Sequence, residues 1–288
     1  MQSEIELYRP QDLAEVLTLL NQLGLDGKLL GGGTNIVSEL RDGHHTGKSL
    51  IDLSRVKELH GINLQDGYIV IGGGTTITDL IDHPLICTHA GILLESARLF
   101  ANPLVRNRAT VAGNLTDASP AADTAPPLLA LNAEVQLMSQ SETRWLKLED
   151  FITGVRKTLL QPGELMSAIR WPVPSDRSAS AYTKVGLRKA DAISVLSAAV
   201  LLEIDATGMC KQAGIALGAV APLPFRVHVA ETLLIGKELK PELIAEASHL
   251  AAEACRPIDD IRGTAAYRKR ITAVIVRRLL TKIMEALK

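Results

Sequence analysis

Residues 31–35, Gly31-Gly32-Gly33-Thr34-Asn35, give up three side chains in a row directly after Lys28-Leu29-Leu30. A glycine run at the end of a strand lets backbone N–H groups approach an anion, above all a phosphate, with no Cβ in the way. The run fits neither common phosphate template: Ile36 stands where a GxGxxG fingerprint needs glycine, and no Gly-Lys-Ser/Thr follows. A tight structural turn therefore stays open as the alternative.

A second segment, VRNRATVAGNLTDASPAAD at residues 105–123, changes the balance. It sets Thr110, Gly113, Asn114 and Ser119 beside one acid, Asp123. Two neutral, donor-rich loops from separate parts of a domain suit a pyrophosphate held between them, and a carboxylate suits ribose hydroxyls. Asp123 equally suits an N-cap for a helix at TAPPLLALN. A second glycine run, residues 72–74, is read as structural, with Thr75 or Thr76 capping a helix that starts at Ile77. Phe100 ends an apolar helix face and is either core or a surface for stacking a purine.

These loops need elements to hold them. PQDLAEVLTLLNQLG has helical spacing and stops at Gly24; KLLGGG and residues 49–56 read as strands, giving a small β-α-β unit with the glycines in its central loop. HGINLQDGYIVIGGGTTI reads as two strands joined at Asp66-Gly67. TITDLIDH, GILLESARLF and APPLLALN are helical, and AEVQLMSQ, RWLKLEDF and ELMSAIRWPVP are strands. Residues 101–123 match neither period, and so long an irregular stretch inside a compact domain is uncommon unless functional. PVPSDRSASA, residues 172–181, reads as a linker. Beyond it, three strands and three helices make a second, α+β unit. The last helix carries Arg268, Lys269, Arg270, Arg277 and Arg278, most simply a solvated face.

Composition narrows the function classes. The 288 residues, 47% hydrophobic and 22% charged with net charge -1, offer no basic field for nucleic acid or anionic membrane. No apolar run is long enough for a membrane span, and the acidic, proline-containing start lacks signal-peptide character, so the expectation is a cytoplasmic protein. Three scattered cysteines exclude an internal iron–sulfur cluster and a CxxC metal site. His44-His45, between Gly43 and Gly47, reads as an exposed loop. No catalytic triad and no metal site is legible.

Taken in order, KLLGGGTN, VRNRATVAGNLTDASPAAD, GELMSAIRWP and LGAVAPLPFR resemble the FAD-binding subunit of the molybdenum hydroxylases, with bacterial xanthine dehydrogenases the nearest type. The likeness spans the whole chain. It implies an α+β protein with a vanillyl-alcohol-oxidase/PCMH-type FAD-binding fold of two subdomains, residues 1–56 and 57–174. A CO dehydrogenase flavoprotein-like domain follows at 178–288. By the same resemblance, Lys28, Leu29, Leu30, Gly31, Gly32, Gly33, Thr34 and Asn35 wrap the FAD pyrophosphate and its neighbouring atoms. Thr110, Gly113 and Asn114 form the opposite wall, Asp123 meets the ribose or ribityl side, Phe100 lies beside the adenine, and Leu165 contacts the flavin. Among Tyr182, Thr183 and Lys184 a ring contact is implied, taken as Thr183 and Lys184. Asn35 and Ala112 stand where the family usually has Asp and Gly; the extra methyl of Ala112 needs negative φ or a direction away from phosphate.

The resemblance also implies an electron relay. A molybdopterin-binding large subunit and a [2Fe–2S] small subunit would complete a hetero-oligomer, and electrons would leave this flavin for NAD+. Alternatives are the same subunit serving another N-heterocycle, an aldehyde or carbon monoxide, and a flavin-free scaffold.

Overall fold

The computed structural model describes residues 5–44 and 48–288; His45 and Gly47 of the expected exposed loop lie outside the described residues. The N-terminal unit contains β1 (Leu7–Tyr8), α1 (Leu13–Leu23), β2 (Gly27–Leu30), α2 (Ile36–Arg41) and β3 (Ser49–Asp52). Its three strands pair in parallel in the order β1-β3-β2. Asp12 caps α1 by accepting from the Glu15 N–H at 2.8 Å, and Gly24, at φ 52°, ends it. Val16 and Leu20 of α1 pack with Ile51, Val56, Leu59 and the distant Leu165.

The middle unit is built on a five-stranded antiparallel sheet of order β4-β5-β10-β6-β7. Its elements are β4 (Ile62–Gln65), β5 (Tyr68–Gly72), α3 (Ile77–Ile81), α4 (Pro84–His89), α5 (Gly91–Leu99), α6 (Pro103–Arg106), α7 (Val111–Thr116), α8 (Ala125–Ala130), β6 (Glu134–Met138), β7 (Thr143–Lys147), α9 (Leu148–Phe151), β8 (Ile152–Gly154), β9 (Lys157–Thr158) and β10 (Leu165–Pro172). The β4–β5 turn has Asp66 and Gly67 at φ 50° and 79°, the left-handed pair that a two-residue hairpin demands. Thr76, not Thr75, caps α3 in a capping box with Asp79. The stretch expected to be irregular holds two helices, α6 and α7, each too short to display a hydrophobic period.

The C-terminal unit has the sheet β11 (Ser178–Val185), β12 (Leu196–Ile204), β13 (Cys210–Gly218), β14 (Phe225–Arg226), antiparallel in that order, followed by α10 (His228–Leu234), α11 (Pro241–Ala254) and α12 (Ala265–Ala286). The expected linker is shorter than its composition indicated, because β11 begins within it. The eight residues 196–203 of β12 are buried in succession, and alternation explains why. Ala198, Val200 and Leu202 face the core shared with α10–α12, while Ala199 and Leu201 face the core of the middle unit. One sheet thus serves two cores. Gly214 of β13 marks how close the middle unit comes: a Cβ there would sit 2.2 Å from the Ala130 carbonyl oxygen of α8.

Arg268 departs from the expected solvated face of α12. It is buried, donating to the Ala219 carbonyl oxygen at 2.7 Å and to Asp260 at 2.6 Å. Lys269, Arg270, Arg277 and Arg278 are exposed as expected. Among the described residues no helix is long and apolar enough to cross a membrane.

Candidate functional site

Three backbone segments converge between the N-terminal and middle units: the loop after β2, the loop from β5 to α3, and residues 108–114 entering α7. Thr110 forms an antiparallel bridge with Thr76, and the Ile77 and Val111 N–H groups complete the crossing on Ala109 and Thr75. The glycines make this convergence possible. A Cβ on Gly32 would lie 1.8 Å from the Arg108 carbonyl oxygen, and one on Gly31 would lie 2.9 Å from Thr110 Oγ1. The two loops expected to face each other across a ligand therefore also touch directly at their base. Gly33 has φ 77°, with Leu30 Cδ1 beneath it.

The two glycine runs differ in what their N–H groups do. Those of Gly73 and Gly74 donate to Ser167 and Leu59 carbonyls at 2.8 and 2.7 Å. Those of residues 31–35 have no hydrogen-bond partner among the described residues. Five successive unpaired donors at a cavity wall form a cradle for an anion. Opposite them, Thr110 caps α7 by accepting from the Gly113 N–H at 3.1 Å. Asn114 Oδ1 accepts from the Thr124 N–H and hydroxyl at 3.2 and 2.7 Å, which leaves the Asn114 amide nitrogen as the donor for the cavity. Ala112 lies within α7, and its methyl faces Gly73, so the substitution for glycine meets the condition set for it.

Two cavities flank this crossing and share Lys28, Leu29, Gly31, Thr110, Gly113 and Thr116 in their walls. The larger, about 610 Å³, is lined by the row from Gly31 to Asn35 together with Phe100, Asn114, Asp123 and Arg156. The smaller, about 340 Å³, is mainly leucine-walled, with Leu20, Leu25, Leu53, Leu59, Leu160 and Leu165. Gly73 and Gly74 also border it, so the second glycine run is structural in its N–H bonding yet still part of the site.

Asp123 is not an N-cap. Thr124 holds that position in α8 without a side-chain bond, and the Asp123 carboxylate instead accepts from Lys184 Nζ at 2.6 Å and Ser194 Oγ at 2.7 Å. Burial pushes the Asp123 carboxyl above its ordinary range, with the Lys184 ammonium pulling against it. Lys184 thus stands behind Asp123 and lines neither cavity. Thr183 and Leu30 are also off both walls. Alternation along β11 sends Tyr182 toward the middle-unit core and Thr183 toward the opposite face, and Leu30 tucks under Gly33. Leu165 and Phe100 line different cavities.

Several wall residues carried no sequence signal of their own. Arg156 reaches the larger cavity from the β8–β9 turn, and Asp191, Ala192 and Ile193 reach it from the loop after β11. Only the backbone pairing of those turns brings them to the site.

Comparison with known proteins gives the site its context. A family model described as the FAD binding domain in molybdopterin dehydrogenase matches residues 3–174, and one described as the CO dehydrogenase flavoprotein C-terminal domain matches residues 180–283. The carbon monoxide dehydrogenase medium chain of Hydrogenophaga pseudoflava is 32% identical, over 96% of this chain and 95% of its own. A solved structure of carbon monoxide dehydrogenase from that organism superposes with a TM-score of 0.93, covering 100% of this chain and 99% of that one. The nicotinate dehydrogenase FAD-subunit of Eubacterium barkeri is 30% identical, over 99% and 97% of the two chains. The putative xanthine dehydrogenase FAD-binding subunit of Escherichia coli (strain K12) is 28% identical, over 97% and 96%.

Proposed function

We propose a function that starts from one premise: this chain belongs to the family of FAD-binding domains in molybdopterin dehydrogenases, and its cofactor is FAD. In our reading it is the medium subunit of a three-component complex, beside a molybdopterin-binding large subunit and a [2Fe–2S] small subunit. FAD, when bound, supplies the ability to accept electrons singly and release them as a hydride. The chain's own residues bind, orient and shield; none is assigned an acid–base step. The observation that carries this reading is the row of unpaired N–H groups from Gly31 to Asn35, in a cavity that Thr110, Gly113 and Asn114 also line.

We assign the pyrophosphate to that row. The larger cavity suits the three-ring isoalloxazine, with Phe100 and Asp123 at its wall and Lys184 behind Asp123. The leucine-lined smaller cavity suits the two-ring adenine, with Leu165 at its wall. Cavity size supports this seating, which exchanges the partners that the resemblance gave Phe100 and Leu165. Purified protein is expected to be yellow and to release FAD on acid treatment; a colourless protein that binds no added FAD would sink the reading.

Phe100→Ala tests the seating. Aromatic stacking is worth roughly 0.5–1.5 kcal/mol beyond burial, so FAD should dissociate about 3- to 10-fold more readily. Binding titrations with FAD and with ADP separate the two ends. A loss confined to FAD supports Phe100 at the ring, and an equal loss for ADP returns it to the adenine.

We take the complex to be of the xanthine dehydrogenase type, oxidising a purine-like heterocycle and passing electrons to NAD+ in the cytoplasm. The motif likeness supports this, and the relatives named for carbon monoxide and nicotinate show that such subunits accompany different substrates. Anaerobic reduction of the flavin followed by NAD+ checks the acceptor: rapid reoxidation with NADH formation is expected, and an inert reduced flavin would remove NAD+ from the proposal.

A further inference from the structure

Arg156 occupies an unusual place in the larger cavity. It sits in the turn between β8 and β9 at φ 57°, a conformation that a side-chain-bearing residue adopts at a cost. Its N–H donates at 3.0 Å to the carbonyl of Ala118, itself at φ 48° and fully buried, so the turn is locked onto the end of α7. The guanidinium then bridges two elements: Nη1 contacts Asp117, the residue that closes α7, and Glu39 Oε1 of α2 at 3.4 Å. The Arg156 Nε and Nη2 groups have no hydrogen-bond partner among the described residues.

Each tie reaches an element that adjoins one of the two loops. Glu39 belongs to α2, the helix that begins directly after the Gly31–Asn35 row. Asp117 ends α7, the helix whose first turn presents Gly113 and Asn114. One guanidinium therefore spans the N-terminal and middle units where they grip the ligand. Glu39, Asp117 and Arg156 all line the larger cavity, so the guanidinium sets a positive charge beside the Asp117 carboxylate at its wall.

We propose that Arg156 is a positioning residue for the cofactor, setting the separation of the two phosphate-binding loops through Glu39 and Asp117. This rests on the FAD reading above and goes beyond it, because the resemblance gave no role to this residue. Arg156→Ala should weaken FAD binding roughly 2- to 10-fold, the range expected for losing two ion pairs from a half-exposed guanidinium. Arg156→Gln keeps a polar side chain without the charge or the reach to Glu39 and Asp117, and serves if the alanine variant folds poorly. Asp117→Asn should weaken binding in the same direction, and the Arg156→Ala/Asp117→Asn double variant should be no worse than the worse single variant.

The readouts are FAD dissociation constants of the full chain and hydrogen exchange of the Val37 and Glu39 amides, which donate to the Gly33 and Asn35 carbonyls, in the FAD-free protein. Exchange of these two amides should quicken in each single variant while the protection of β12 is unchanged. Tighter FAD binding in Asp117→Asn, additive losses in the double variant, or unaltered exchange of Val37 and Glu39 would overturn the positioning role. Wild-type protein that takes up no FAD would instead overturn the cofactor reading, so the two failures are distinguishable.

Discussion

Gly32→Ala is expected to give a protein that purifies without flavin and unfolds at a lower temperature than wild type. The added methyl would sit 1.8 Å from the Arg108 carbonyl oxygen, and the next two atoms in its way, Arg108 C and Ala109 N, are also backbone, at 2.4 and 2.8 Å. No rotamer change relieves such an overlap. The loop after β2 must lift away from residues 108–110, and this is the crossing that holds both ligand-facing segments in register. Overpacking typically costs about 1–3 kcal/mol, and a backbone obstacle belongs at the upper end. Flavin absorbance per protein and a thermal melt with and without added FAD are the measurements. Wild-type flavin content would mean that the crossing can open without disturbing the cradle. Gly31→Ala is the milder companion, because its obstacle is a hydroxyl on a rotatable side chain.

Lys184→Met is the second large effect, and its size depends on pH. Lys184 and Asp123 are both nearly buried, with side-chain exposures of 7% and 10%. Removing one partner of a buried pair leaves the other uncompensated, typically at about 3–5 kcal/mol. Asp123 already has its carboxyl raised by burial, and Lys184 is the chief influence holding it down. Without Lys184 the folded-state value climbs further above the unfolded one. The folded variant then retains a proton that the unfolded chain releases, so its stability is greatest below the ordinary carboxylate range and falls as pH rises through the folded value. Denaturant melts of wild type and variant across mildly acidic to neutral pH should therefore diverge as pH increases. A constant gap would show that Asp123 finds another counter-charge.

Much of the architecture was legible because its signals are local. Leu13 to Leu23 carry a helical period closed by Gly24, and Asp66-Gly67 names its own hairpin. The row from Gly31 to Asn35 read alone left a tight turn open, and only its pairing with residues 105–123 tilted the reading toward a ligand. What the row could not disclose was that Gly32 answers first to Arg108, a residue 76 positions away in the chain.

The less legible parts depend on pairings that no local period encodes. α6 and α7 are single turns, and the cap of α7 is Thr110, which sequence inspection had placed on the cavity wall without a helix behind it. Asp123 reads as a cap or a ribose ligand until β11 brings Lys184 to it from 61 positions later. Thr183 reads as well as Lys184 until the register of β11 against β12 decides which of them faces the middle unit. Arg156 has no motif at all. Its importance comes from a hairpin turn that lies against α7 and from a helix that lies 117 positions earlier in the chain.

The strand β12 carries a consequence of its own. Its two faces complete the cores on either side, with Ala199 and Leu201 in one and Ala198, Val200 and Leu202 in the other. The boundary near residues 174–178 is therefore a boundary of sequence but not of cooperativity: neither half has a complete interior until the other has folded. The two matched segments therefore cannot be exchanged between relatives unless both faces of that one strand are carried along.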